Sequence, residues 1–140
     1  LNLMTELLLN KAMTIAEREE ITAILYLLLE ARINRKKLVY IAGKVGDLTI
    51  DSYYNDVLVK FAHRAEELRK IGHIPVNPME FVRRGTDWYT AMRICLRIMS
   101  YCQAISPLPD YLESPGALIE VSLAKSLQLT FIYTSKINQL

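Results

Sequence analysis

Leu38-Val39-Tyr40-Ile41-Ala42-Gly43 is the stretch on which the fold turns: an unbroken apolar run without a charge, closed by a glycine. Such a run reads as a buried strand. From Lys37 onward, short apolar runs of this kind alternate with amphipathic segments, which is the signature of a parallel α/β sheet. A polar loop follows, Lys44 to Asp51. Tyr53 to Ile71 then reads as a helix with Val57, Leu58, Phe61, Ala65 and Leu68 on one face, and Gly72 stands where a left-handed cap is favoured. The second strand is His73-Ile74-Pro75-Val76, ended by Asn77-Pro78. Because Pro75 cannot donate to a ladder, this strand should be short or near an edge.

Further on, Thr86 or Asp87 can cap a helix running through Trp88, Met92, Leu96 and Met99 to Tyr101. Ala104 to Leu108 reads as the third strand and Pro109-Asp110 as its turn. Ser114-Pro115-Gly116 opens another helix, with a capping Ser and a Pro at the first helical position, and it continues through Leu118, Ile119, Val121, Leu123, Ala124 and Leu127. Leu129 to Tyr133 is the last strand. The expected fold class is α/β: a small flavodoxin-like or Rossmann-like three-layer sandwich with four or five mostly parallel strands. Its ligand site belongs at the carboxyl ends of those strands.

Ahead of this domain, residues 1–35 differ in character and read as a helical extension to the domain spanning 36–140. Thr14-Ile15-Ala16-Glu17 has the form of a capping box, and Ile21, Ile24, Leu25, Leu28 and Leu29 follow at helical spacing. A shorter turn through Glu6 to Lys11 precedes it, with Leu7, Leu8 and Leu9 as its apolar side. The long helix has two uses open to it, packing on the domain or association with a second subunit. The number of apolar positions exceeds what covering one small sheet needs, so a homodimer or higher homo-oligomer is expected.

Length and composition limit the alternatives. At 140 residues there is room for one domain and an extra element, not for two domains. With 51% hydrophobic and 23% charged residues the chain can fill a core, which excludes disorder. A formal net charge of +2, with basic residues scattered except for Arg35-Lys36-Lys37, is too small to imply a nucleic acid polymer as partner, and none is expected. Cys95 and Cys102 lie seven apart in one helix, about 10 Å along its axis at about 1.5 Å per residue, too far to bridge. Neither forms a metal pair with a nearby His, and this is the cysteine usage of a reducing compartment. The longest apolar run, Ala23 to Leu29, is too short to span a bilayer, so no membrane partner is expected. The N-terminus lacks a basic start and a small-residue cleavage site, and a cytoplasmic location is expected.

In a sheet of this kind the functional loops follow the first three strands: Gly43 to Asp47, Asn77 to Glu80, and Pro109 to Gly116. The third carries the strongest signal. Ser114 and the backbone N–H groups of the helix start can receive a phosphate or carboxylate, or Ser114 can be an ordinary helix cap. Glu120, flanked by Ile119 and Val121, is either a solvated residue of the outer face or a carboxylate turned into a cleft. Periodicity does not choose between them.

Tyr40-Ile41-Ala42-Gly43, Phe61, Leu68 to Gly72, Val76-Asn77-Pro78, Trp88 with Met92-Arg93, Cys102 to Ile105, Leu108-Pro109, and Ser114-x-Gly116-Ala117-x-x-Glu120-x-x-x-Ala124 occur in an informative order. Together they resemble the pattern of small proteins related to nucleoside 2-deoxyribosyltransferases, over about Lys37 to Tyr133. The resemblance implies N-glycosidic bond cleavage or 2-deoxyribosyl transfer on a 2'-deoxynucleoside or its 5'-monophosphate. The nucleophile of the characterised relatives falls on Glu120. A carboxylate can form a covalent sugar ester there, which water or a second base resolves with retention. The relatives acting on monophosphates carry a Ser six residues earlier, and this chain has Ser114. Tyr40 and Gly43 are implied to line the sugar pocket and Gly116 to hold the phosphate with Ser114. Asn77, Trp88 and Asp110 fall at further substrate-binding positions. Lys44 either supplies a cation to the same anion or is a solvated loop lysine. The relatives dimerise, and no metal or organic cofactor is implied.

Two departures bear on catalysis. The Asp that orients substrate or protonates the departing base in the relatives is replaced here by Cys95, and the acidic residue usual after Cys102 is Gln103. These substitutions leave open a catalytically inactive nucleotide-binding or assembly protein of the same fold.

Overall fold

A computed structural model describes residues 15–134 of the chain. The apolar run is a strand, β1 (Leu38–Ala42), with every residue buried. It pairs in parallel on one side with β2 (Ile74–Val76) and on the other with β3 (Ala104–Pro107), which in turn pairs in parallel with β4 (Thr130–Phe131). The sheet order is therefore β2-β1-β3-β4. β2 is an edge strand, as Pro75 requires, and Pro75 sits opposite Val39 in the register.

Strand alternation sorts the core into two layers. Val39, Ile41 and Ala104 point to the face covered by α2 (Asp51–Lys70) through Val57, Phe61, Ala65 and Leu68. Leu38, Tyr40, Ala42 and Ile105 point to the opposite face, covered by α1 (Ile15–Asn34), α4 (Trp88–Met99) and α5 (Pro115–Ser126). This is a three-layer sandwich of small flavodoxin- or Rossmann-like type, with helices on both faces of an all-parallel sheet. Gly72 ends α2 at φ 90°, a left-handed conformation that glycine adopts without steric cost. Two short elements were not expected from the sequence: α3 (Pro78–Phe81) and a 3₁₀ turn at Tyr111–Glu113.

α1 lies on the domain, burying Ile24 and Ala31 with Leu27 and Leu28 packed beside them. Two ion pairs tie it down, Glu20 to Arg97 at 3.0 Å and Glu19 to Arg83 at 3.0 Å. Its outward side keeps Ile15, Tyr26, Leu29 and Ile33 exposed. Thr14, the turn through Glu6 to Lys11 and Leu7, Leu8 and Leu9 lie outside the described residues. Among the described residues no helix is long and apolar enough to cross a membrane.

Candidate active site

The carboxyl ends of β1 and β3 open into a cavity of about 1060 Å³. This is the point where the chain's crossovers diverge, from α2 on one face to α4 and α5 on the other, and a crevice arises there from topology alone. Each expected site residue has a definite place in or beside it.

Glu120 lies at the cavity floor, 5% exposed. α5 is capped by Ser114, whose Oγ accepts from the Ala117 N–H at 3.2 Å, and Pro115 occupies the first helical position. Counting from that start, Gly116, Ala117, Glu120, Val121 and Ala124 are the buried positions, one inward stripe at helical spacing. Leu118 and Ile119, apolar as they are, lie on the exposed side. The helix is apolar on both faces, so hydrophobicity could not say which way Glu120 turned. The cleft alternative is the one observed.

Tyr40, fully buried on the same sheet face, donates its hydroxyl hydrogen bond to Glu120 Oε2. Burial raises the Glu120 pKa to about 7, with the Tyr40 hydrogen bond pulling the other way. Burial, and then the Glu120 charge, push the Tyr40 hydroxyl well above its ordinary range, so it remains a donor at neutral pH. Cys95 also lines the cavity. Burial first, and Glu120 second, push its thiol up to about 12, so it is a neutral group and no substitute for a carboxylate.

The walls follow. Gly43 lines the cavity where a Cβ would stand 2.5 Å from Leu108 Cδ1, and Gly116 lines it where a Cβ would stand 3.0 Å from Met92 Sδ and 3.7 Å from Trp88 Nε1. Both glycines permit close approach of neighbouring elements. Trp88 is half-exposed at the rim. Lys44 is also at the rim, with Nζ 3.7 Å from Glu113 Oε1. Asp47 and Asp51 are rim acids too. The Thr49 backbone N–H holds the Asp47 carboxyl below its ordinary range, which keeps it anionic.

Two expected substrate-binding residues do not line the cavity. Asn77 is buried and spends its Oδ1 on the Met79 N–H at 3.0 Å, capping α3. Asp110 accepts from the Lys44 N–H at 3.1 Å and from Lys60 Nζ at 2.6 Å. Both shape loops. Gln103 is likewise remote from the cavity: at the amino end of β3 its Oε1 accepts from the Leu38 N–H at 2.8 Å. A carboxylate or an amide there bears on the sheet, not on the site.

Sequence reasoning passed over Lys60 and Arg64. Arg64 is 2% exposed on α2, donating to Ser106 Oγ at 2.8 Å and the Pro107 carbonyl at 2.9 Å, with Glu67 Oε1 3.3 Å from its Nε. Its position within the apolar stripe Val57, Phe61, Ala65, Leu68 was a legible signal. Lys60, at the edge of that stripe, had none. Among the described residues no cluster of His, Cys, Asp and Glu is arranged to hold a metal ion.

The fold and cavity thus define the class: a small parallel α/β sandwich with one buried, tyrosine-bonded carboxylate in a crevice at its strand ends. The chain belongs to the family described as Domain of unknown function (DUF4406), whose model matches residues 37–133. The match runs from just before β1 to just after β4 and leaves α1 outside. No curated protein matches the chain.

Proposed function

We propose that this protein cleaves, or transfers at, the N-glycosidic bond of a 2'-deoxynucleoside 5'-monophosphate. The observation that carries the reading is Glu120, a carboxylate 5% exposed at the floor of a large crevice and held by one hydroxyl. Burying a carboxylate costs stability and is uncommon without a use for it. The ordered motifs shared with nucleoside 2-deoxyribosyltransferase-like proteins support the same role.

In this mechanism Tyr40 engages Oε2 and leaves Oε1 of the ionised carboxylate to attack the anomeric carbon. The C1'–O bond forms as the C1'–N bond breaks, its electron pair leaves with the base, and solvent supplies the base's proton. Two displacements at one carbon give retention. Water as acceptor makes the reaction a hydrolysis; a second base makes it a transfer. The Gly116 N–H at the start of α5, the Ser114 hydroxyl and the Lys44 ammonium favour an anion at the 5' end.

A second reading rests on Cys95. With a neutral thiol where the relatives carry an acid, the protein binds a nucleotide without turning it over. One panel separates the two. Deoxynucleosides and their monophosphates are incubated with the chain at pH 8, and released base is measured by chromatography. Faster release from monophosphates is expected, and equal release from both classes contradicts the phosphate assignment. A monophosphate that raises the melting temperature without base release favours the binding protein.

A further inference from the structure

Resting on the reading that an anionic group is received at this rim, we propose that Lys60 and Asp110 are positioning residues that set Lys44 at the rim beside Glu113, one residue before the Ser114 cap of α5. Neither lines the cavity. Lys60 Nζ donates to the Lys44 carbonyl at 2.5 Å and to Asp110 Oδ2 at 2.6 Å, while Asp110 Oδ1 accepts from the Lys44 N–H at 3.1 Å. One ion pair therefore holds both polar groups of the Lys44 backbone.

The loop needs such a device. From Gly43 to Thr49, no backbone–backbone hydrogen bond ties the loop to the sheet among the described residues. A further side chain, Arg84, anchors it by donating from Nε to the Leu48 carbonyl at 2.6 Å, and within the loop Asp47 accepts from the Thr49 N–H at 2.9 Å. Asp110 also begins the segment on the facing rim, where the Glu113 N–H donates to its carbonyl at 3.0 Å one residue before Ser114. The Lys60–Asp110 pair thus cross-links the loop after β1 to the segment after β3. Its side chains are only 29% and 25% exposed, so water screens it less than a surface pair.

The consequence concerns binding rather than chemistry. A lysine on a mobile loop must be ordered when an anion arrives, and that ordering subtracts from affinity; a lysine whose peptide is already clamped avoids it. The chemical step at Glu120 does not pass through Lys60.

The test uses the full chain with a 2'-deoxynucleoside 5'-monophosphate, its parent nucleoside and inorganic phosphate as probes. Lys60→Met is expected to weaken monophosphate binding about tenfold in calorimetry while nucleoside affinity holds. In base release KM for the monophosphate rises similarly and kcat changes less than about twofold. Lys60→Arg restores most of the affinity, and in Asp110→Asn the Lys44 amide exchanges faster with solvent. Equal losses for monophosphate and nucleoside, or unchanged binding in Lys60→Met, overturn the positioning role alone. A wild-type chain that binds none of the probes overturns the reading of the site and this proposal with it.

Discussion

Glu120→Gln is expected to reduce base release from a 2'-deoxynucleoside 5'-monophosphate by on the order of 10⁴-fold or more, because an amide cannot form the sugar ester. The fold should persist. The amide oxygen can still accept from Tyr40, and the side chain keeps its volume on the inward stripe of α5 beside Ala117 and Val121. Among the described residues the other cavity-lining acids, Asp47, Asp51 and Glu113, are at the rim. Chromatography of released base, with circular dichroism to confirm folding, measures the effect. Residual release within about tenfold of wild type would remove Glu120 from the mechanism.

The same substitution should make the protein more stable, and the gain should depend on pH. The ordinary Glu value is 4.5 and burial raises it to about 7 in the folded chain. A folded-state value above the unfolded one means the native protein holds its proton more tightly, so stability falls as pH rises between the two. Below about pH 4.5 both states are protonated and the burial costs nothing. Above about pH 7 the full penalty applies, about 3 kcal/mol at ~1.4 kcal/mol per pH unit. Glu120→Gln therefore exceeds wild type by up to about 3 kcal/mol at pH 8, and the two converge near pH 4. Asp47 and Asp87, whose carboxyls are lowered by hydrogen bonds to Thr49 and Thr90, act equally in both chains and cancel in the difference. Urea unfolding at the two pH values tests this, and a pH-independent difference would refute it. Stability given up at one carboxylate is what a functional site of this kind entails.

How far the sequence reached depends on the length of the signal each element carries. β1 was legible because all of its residues are buried, which leaves an apolar run with no alternative use. Pro75 placed β2 at an edge, and Gly72 placed the end of α2, because each acts through its own backbone. α3 and the 3₁₀ turn are too short for any period to show, and β4 is a two-residue pairing where a five-residue strand was expected. At the site, Tyr40, Gly43, Lys44, Trp88, Ser114, Gly116 and Glu120 do meet in one cavity. Asn77 and Asp110 do not line it, because each spends its side-chain oxygens on holding a loop, Asn77 on the nearby Met79 N–H and Asp110 on the distant Lys44 and Lys60. The burial of Glu120 could not be read from a helix apolar all round. Arg64 and Lys60 find partners more than 40 residues further along the chain, at Ser106 and Asp110, where no local pattern points.

Trapping the sugar on the protein tests whether Glu120 is the nucleophile. Fluorine at the 2' position of a 5'-monophosphate slows both formation and breakdown of the ester by disfavouring positive charge at C1', and with formation the faster step the intermediate accumulates for mass spectrometry of the quenched chain. One added 2-fluoro-sugar phosphate per chain is expected, located by peptide fragmentation at Glu120 and absent from Glu120→Gln. Base release from the natural monophosphate with no such adduct, or with the adduct on any other residue, would contradict that role for Glu120.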